Sequence, residues 1–181
     1  MKFFPRRNTL NIQHLTFRIS AMLLSLLLIP TGCGVYSFTG INLDPNIKTV
    51  AISNFYNNSG GGPANLSQTF TERLKDYYQS NSPLKIANQD GDLLLEGSIV
   101  GYDLIPVAPT AEQQASLNRL TIRVQVKFTN TLDETKNFDS QFSFYRDFEQ
   151  NQSLSSVEPQ LIDAIFEQII YDVFNKSVAD W

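Results

Sequence analysis

The chain has 181 residues, 42% of them apolar and 18% charged, with a formal net charge of -4, which is room for one domain of ordinary core size. Four of its fourteen basic residues, Lys2, Arg6, Arg7 and Arg18, precede residue 33 in a stretch without an acid, so ten basic residues face eighteen acidic ones beyond it; that balance excludes a sequence-independent nucleic-acid binder, which needs a basic footprint. The single histidine, His14, and the single cysteine, Cys33, both lie in or at the end of the same N-terminal stretch, which removes imidazole acid/base catalysis, Cys/His zinc sites and disulfide frameworks from consideration.

The first elements read as an address. Met1 to Arg18 is basic, and Ile19 to Ile29 is an unbroken run of apolar and small residues. As a helix that run rises only about 16 Å, roughly half of the hydrocarbon thickness, so it suits a signal peptide rather than a permanent span. Thr31 and Gly32 precede Cys33 and Gly34 follows it. This resembles a lipobox, with Pro30 where a Leu is usual, and implies cleavage before Cys33 and acylation of its thiol by fatty acid such as palmitate. The expected layout is therefore a signal peptide over 1–32, a lipidated tether over 33–48 and one domain over 49–181. A chain anchored by two or three acyl groups is held firmly on a membrane.

Within the domain, Val50 and Ile52 share one face of a short strand from Thr49 to Phe55. Asn57 to Pro63 contains three consecutive glycines and is a loop. It lacks the GxGxxG spacing and the following Lys-Ser or Lys-Thr of a nucleotide site. From Asn65 to about Ser80, Leu66, Phe70, Leu74 and Tyr77 form an apolar helical stripe. Leu84 to Ala87 is a short strand, Asp90-Gly91 a turn, and Leu93 to Ile105 a long extended stretch in which Gly97 and Gly101 indicate a bulge or a close backbone approach. Pro106 to Leu117 is a loop long enough to carry function.

Leu120, Ile122, Val124, Val126 and Phe128 then alternate with Thr121, Arg123, Gln125, Lys127 and Thr129, the pattern of a half-buried antiparallel strand. Thr131 to Lys136 turns the chain, and Phe138, Phe142, Phe144 and Phe148 share one parity on the returning strand. Ser155-Ser156-Val157-Glu158 has the form of a capping box, with Pro159 in the first turn of the helix that follows, whose apolar side runs from Leu161 to Phe174. The close acid pairs, Asp90 with Asp92 and Asp133 with Glu134, lack calcium-loop spacing and read as solvated turn acids; no cofactor or metal is expected.

These elements predict an α+β two-layer sandwich, two helices packed on one face of a mainly antiparallel sheet of four, possibly five, strands. The other face stays uncovered and shows Thr121, Arg123, Gln125, Lys127, Gln141, Ser143 and Tyr145, either as a solvated surface or as an interface. The junction Gly32-Cys33-Gly34-Val35-Tyr36-Ser37-Phe38, the strand and Gly-rich loop of 49–63, the amphipathic helix after it, the alternating hairpin with Phe144-Tyr145-Arg146-Asp147-Phe148, and the terminal apolar helix together resemble the LptE family of lipopolysaccharide-assembly lipoproteins, in its Bacteroidota-like version. The resemblance implies a non-enzymatic protein, lipid-anchored at the outer membrane, that plugs and helps to assemble the LptD β-barrel and contacts lipopolysaccharide. By position, Arg119, Arg123 and Lys127, with Lys136 at the hairpin turn, are the residues to meet an anionic glycolipid.

Two other classes compete. Thr49 to Ile86 is also similar to the opening unit of curli-export and penicillin-binding-protein-activator lipoproteins, which act by protein–protein contact, although those continue with further alternating elements. A periplasmic hydrolase would need a base other than His, and no S-x-x-K motif occurs. Labelling with a clickable fatty acid tests the address: the wild-type chain takes up label and Cys33→Ser does not, whereas equal labelling of the two would disprove acylation at Cys33.

Overall fold

The computed structural model describes residues 43–108 and 116–179, all within one compact unit. The signal peptide, Cys33, most of the tether and the centre of the 106–117 loop lie outside the described residues. In chain order the elements are β1 (Thr49–Ile52), β2 (Tyr56–Asn57), α1 (Leu66–Asn81), β3 (Lys85–Ala87), β4 (Leu93–Val107), β5 (Leu117–Asn130), a 3-10 turn (Glu134–Lys136), β6 (Phe138–Glu149) and α2 (Leu154–Val178).

The strands form one mixed sheet in the order β3-β1-β4-β5-β6, with β2 pairing β4 further along. The α+β class and the two helices agree with the sequence pattern, while the strand count is six rather than four or five. β1 runs parallel to both β3 and β4, and β2 runs parallel to β4. These short parallel pairings carry no local signature, because they join segments distant in sequence; β2 is two residues in an Asn- and Gly-rich stretch. The long strands β4, β5 and β6, of 15, 14 and 12 residues, pair antiparallel and make up most of the sheet.

The core lies between the helices and one face of that sheet. From α1 it takes Leu66, Phe70, Leu74 and Tyr78, a four-residue step throughout, so Tyr78 rather than Tyr77 enters the core. Tyr77 is displaced to the seam between the helices, edge-on to Phe174 with centroids 5.1 Å apart. The buried Tyr78 hydroxyl is not orphaned: it meets Ser177 Oγ at 2.5 Å, which removes most of the cost of burying it. From α2 come Ile162, Ile165, Phe166, Ile169, Ile170, Val173 and Phe174, and from β5 Leu120, Ile122, Val124, Val126 and Phe128, all buried as the two periods require. Phe70 joins the layers, edge-on to Phe55 at 5.0 Å and to Phe166 at 5.0 Å.

The start of α2 differs from the expected capping box. The helix begins at Leu154 with Ser153 as the N-cap residue and no side-chain cap, and Glu158 instead accepts a hydrogen bond from the Tyr102 hydroxyl on β4. Pro159 therefore falls in the second turn, and the carbonyl it cannot bond, that of Ser155, lies on the exposed side. Two of the turn acids do more than meet solvent. Asp92 accepts from the backbone amides of Lys48 and Thr49, at 2.8 and 2.9 Å, and from Thr49 Oγ1, fastening the entry of β1 to the start of β4. These donors, the Lys48 amide foremost, hold its carboxyl below the usual range. Asp133 receives the amide and hydroxyl of Thr135.

Both β4 glycines act as the sequence indicated. At Gly97 a Cβ would lie 2.1 Å from the Gln125 carbonyl oxygen of β5 and 2.7 Å from the Phe55 ring. Between Ile99 and Gly101 the β4/β5 register shifts by one, leaving Val100 as a bulged residue. Adding that Cβ forces backbone apart rather than a flexible side chain, so Gly97→Ala should destabilise the fold by on the order of 3 kcal/mol; a urea midpoint unchanged from wild type would refute the close approach.

Candidate functional site

The sheet face away from the helices is built by period-two alternation on three strands. β5 contributes Arg119, Thr121, Arg123, Gln125, Lys127 and Thr129, and β6 contributes Asp139, Gln141, Ser143, Tyr145 and Asp147. On β4 the Val100 bulge reverses the parity. Before it the odd residues Leu93, Leu95 and Ile99 point to the core; after it Tyr102 lies opposite Ile122 on the helix side, and Asp103 lies opposite Thr121 on the open side. One extra residue thus delivers an acid to the open face.

The cations of this face are matched one by one with acids on the neighbouring strands. Arg119 makes a two-pronged contact with Asp147, Nε to Oδ1 at 2.7 Å and the guanidinium NH2 to Oδ2 at 2.8 Å, and lies flat on the Tyr145 ring, 3.7 Å from its centroid. Arg123 reaches across β4 to Asp103 Oδ2 at 2.9 Å, an ion pair without an aligned hydrogen bond. Its guanidinium occupies the space where a Cβ on Gly101 would stand, 2.4 to 2.7 Å away, so the missing side chain at 101 is its seat. Lys127 donates to Glu96 at 2.7 Å, and Gln125 donates to Asp139 at 2.5 Å. Arg119 lowers the Asp147 carboxyl, and the Glu96 contact raises the Lys127 ammonium.

Three of the four predicted glycolipid residues, Arg119, Arg123 and Lys127, are thus brought onto one strand face. Lys136 is not among them. It sits in the 3-10 turn past the Lys127 end of the hairpin, where it lines a concavity of about 230 Å³ with Leu43, Ile47, Leu132 and Val178. The acid partners were not singled out from the sequence, although one was within reach. Folding the hairpin about its turn sets Arg119 opposite Asp147, the pair that forms, and Lys127 opposite Asp139, which takes Gln125 instead while Lys127 turns to Glu96. Asp103 could not be placed the same way, because its parity depends on the bulge, and Glu96, which precedes the bulge, meets Lys127 only once β4 is set in register beside β5.

The Gly-rich loop proves to be fixed. Gly60 and Gly62 take φ of 74° and 82°, a region that favours glycine. Asn57 ties the loop through the Gly61 carbonyl and the Ser59 amide, and Gly61 and Gly62 lie against the Tyr102 ring. Tyr102 in turn donates to Glu158 of α2, and burial is the foremost reason that its hydroxyl titrates above the usual range. Beyond the bulge, Leu104 and Ile105 are about half exposed and give this stretch of β4 an apolar surface. Between the helices a groove of about 480 Å³ is crossed by an ion pair from Arg73 to Asp163 at 2.5 Å. Among the described residues no three His, Cys, Asp or Glu side chains gather as metal ligands, and no helix is long and apolar enough to cross a membrane.

Comparison with known proteins places this geometry. A search of curated proteins finds no sequence match. Among solved structures, a minor lipoprotein from Acinetobacter baumannii superposes with a TM-score of 0.50 at 12% identity, covering 72% of this chain and 91% of that one. A hypothetical protein from Chlamydia trachomatis gives 0.50 at 12% identity, covering 74% and 99%. At such identity the likeness is one of fold, and both share this arrangement of helices and sheet. The family model for LptE, lipopolysaccharide-assembly, matches residues 47–177. That span runs from the entry of β1 to the last turn of α2, most of the 181-residue chain, and the chain belongs to the LptE family of lipopolysaccharide-assembly proteins.

Proposed function

We propose that the chain is a lipid-anchored plug: held at the outer membrane through Cys33, it seats its open sheet face and the β4/β5 hairpin end inside an LptD-like β-barrel, assists assembly of that barrel, and contacts lipopolysaccharide on its way to the surface. The family is one of non-enzymatic lipopolysaccharide-assembly lipoproteins of the outer membrane, so the chemistry required is binding rather than bond-making. It takes the place of the competing curli-export or synthase-activator reading.

The observation that carries the proposal is the matched charge ladder on an otherwise uncovered face. Outer-membrane barrels have polar interiors, and a surface whose cations and acids are already paired can enter such a lumen without a bare charge to desolvate. The pairs are side by side and partly exposed, so each adds little to folding. What they fix is a pattern of sign that a partner can read. Lipopolysaccharide phosphates meet Arg119, Arg123 and Lys127 through the exposed N–H donors that the paired carboxylates leave unused, and Lys136 at the turn from a separate side.

Reversing the polarity of one rung tests this without breaking it. Glu96→Lys combined with Lys127→Glu keeps an ion pair on two side chains that are each more than half exposed. Because Lys127 also stands opposite Asp139, the exchange sets two acids across β5 and β6, and the melting temperature should fall by a few degrees at most, while recovery of the barrel with the tagged protein should fall by roughly tenfold or more, as charge reversal at a contact does. Undiminished recovery from a correctly folded variant would remove the open face from the interface.

A further inference from the structure

The glycines of this domain leave their side-chain positions empty for different reasons. Gly60 and Gly62 have positive φ, which favours glycine, and at Gly97 a Cβ would strike the backbone of β5. Gly101 meets neither condition. It is not among the positive-φ residues, and the three atoms nearest to a Cβ built on it, nearer than van der Waals contact permits, all belong to the Arg123 guanidinium. Gly101 is buried, beneath that side chain. What the position needs from glycine is room for an arginine rather than a backbone conformation.

The consequence is one of direction. Arg119 sends its charge toward β6, onto Asp147 and Tyr145, whereas Arg123 and Lys127 send theirs the other way, onto Asp103 and Glu96 of β4. All three side chains leave the same face of β5, so the strand that carries each charge is decided by what that strand offers. Opposite Arg123, β6 offers the uncharged Ser143 and β4 offers Gly101. Neighbouring strands lie about 4.8 Å apart, so a guanidinium turned from β4 to β6 moves by roughly 10 Å. A methyl group on Gly101 blocks the path to Asp103 and leaves the other direction open. The Val100 bulge completes the device: without the register shift after Ile99, Val100 would stand opposite Arg123 and its branched side chain would take the seat.

We infer that Gly101 is a positioning residue of the open face. It acts through Arg123, carrying the central cation of that face across to β4, and so sets the pattern of sign that the partner meets. The inference rests on the proposal that the open face meets the barrel, and deepens it by naming the residue that decides where one of the charges stands.

Recovery of the barrel with the full-length tagged chain tests it in a double-mutant cycle of Gly101→Ala and Arg123→Ala, titrated so that a loss of about a hundredfold stays measurable. Thermal melts come first. The added methyl group of Gly101→Ala first meets the flexible end of a side chain, so this variant should melt within a few degrees of wild type. Each single variant should lower recovery by roughly tenfold. The double variant should lose no more than either, because with Arg123 truncated the glycine has nothing to seat. Losses that multiply to about a hundredfold would assign Gly101 to the backbone of β4 and overturn the inference while leaving the open-face reading intact. Full recovery with Gly101→Ala beside a loss with Arg123→Ala would overturn it in the same way. Undiminished recovery with Arg123→Ala would remove the contact at Arg123 and the inference with it.

Discussion

The register in which β4 lies against β5 sets what each face of the sheet presents. Gly97 lets the two backbones come together where any side chain would hold them apart, and Val100, the one unpaired residue, then turns the parity of everything after it. Without that step Tyr102 would leave the helix side and Asp103 would enter it. The first change would detach the Gly-rich loop and Glu158 from their shared anchor, and the second would bury a carboxylate away from Arg123. Packing and charge pattern both descend from one local irregularity.

The two faces divide the work. Burial of large apolar side chains, worth about 1.5 to 3 kcal/mol each, is concentrated on the helix side, where Phe55, Phe70 and Phe166 meet edge to face. The open side carries ion pairs of little energetic weight in water. A face that contributes little to folding is free to hold whatever pattern of sign a partner requires, because changing that pattern leaves the core untouched. Arg119 shows how such a face is made definite: the Asp147 carboxylate fixes its guanidinium in one plane and the Tyr145 ring supports that plane from one side. The charge is held at one place rather than swept through solvent.

Much of this fold was legible in the sequence, and the legible parts are those with a period. The β5 alternation and the Phe parity of β6 told which side chains face the core, and Gly97 and Gly101 marked where β4 is irregular. The parallel pairings of β1, β2 and β3 were not legible, since nothing local to Tyr56-Asn57 announces a partner at Ser98-Ile99. Nor was the choice of Tyr78 over Tyr77, two adjacent aromatic residues separated only by the drift of a four-residue step around the helix. The start of α2 misled because Glu158 had a stronger use, at the Tyr102 hydroxyl, than capping its own helix. Of the candidate site, the cations were visible as an outward-facing set. Asp103 was not, since the bulge decides which of Tyr102 and Asp103 points outward, and Glu96, before the bulge, meets Lys127 only through the β4/β5 register.

The claim that the open face is the surface met by the barrel is tested most directly by photo-crosslinking in intact cells. A photoreactive residue at Thr121, Gln125 or Gln141 samples that face, and one at Gln79 or Tyr171 samples the exposed sides of α1 and α2. The account predicts covalent adducts with the barrel from the first three positions and none from the helix positions. Adducts from Gln79 and Tyr171 alone would contradict it and place the helices, not the ladder, against the partner.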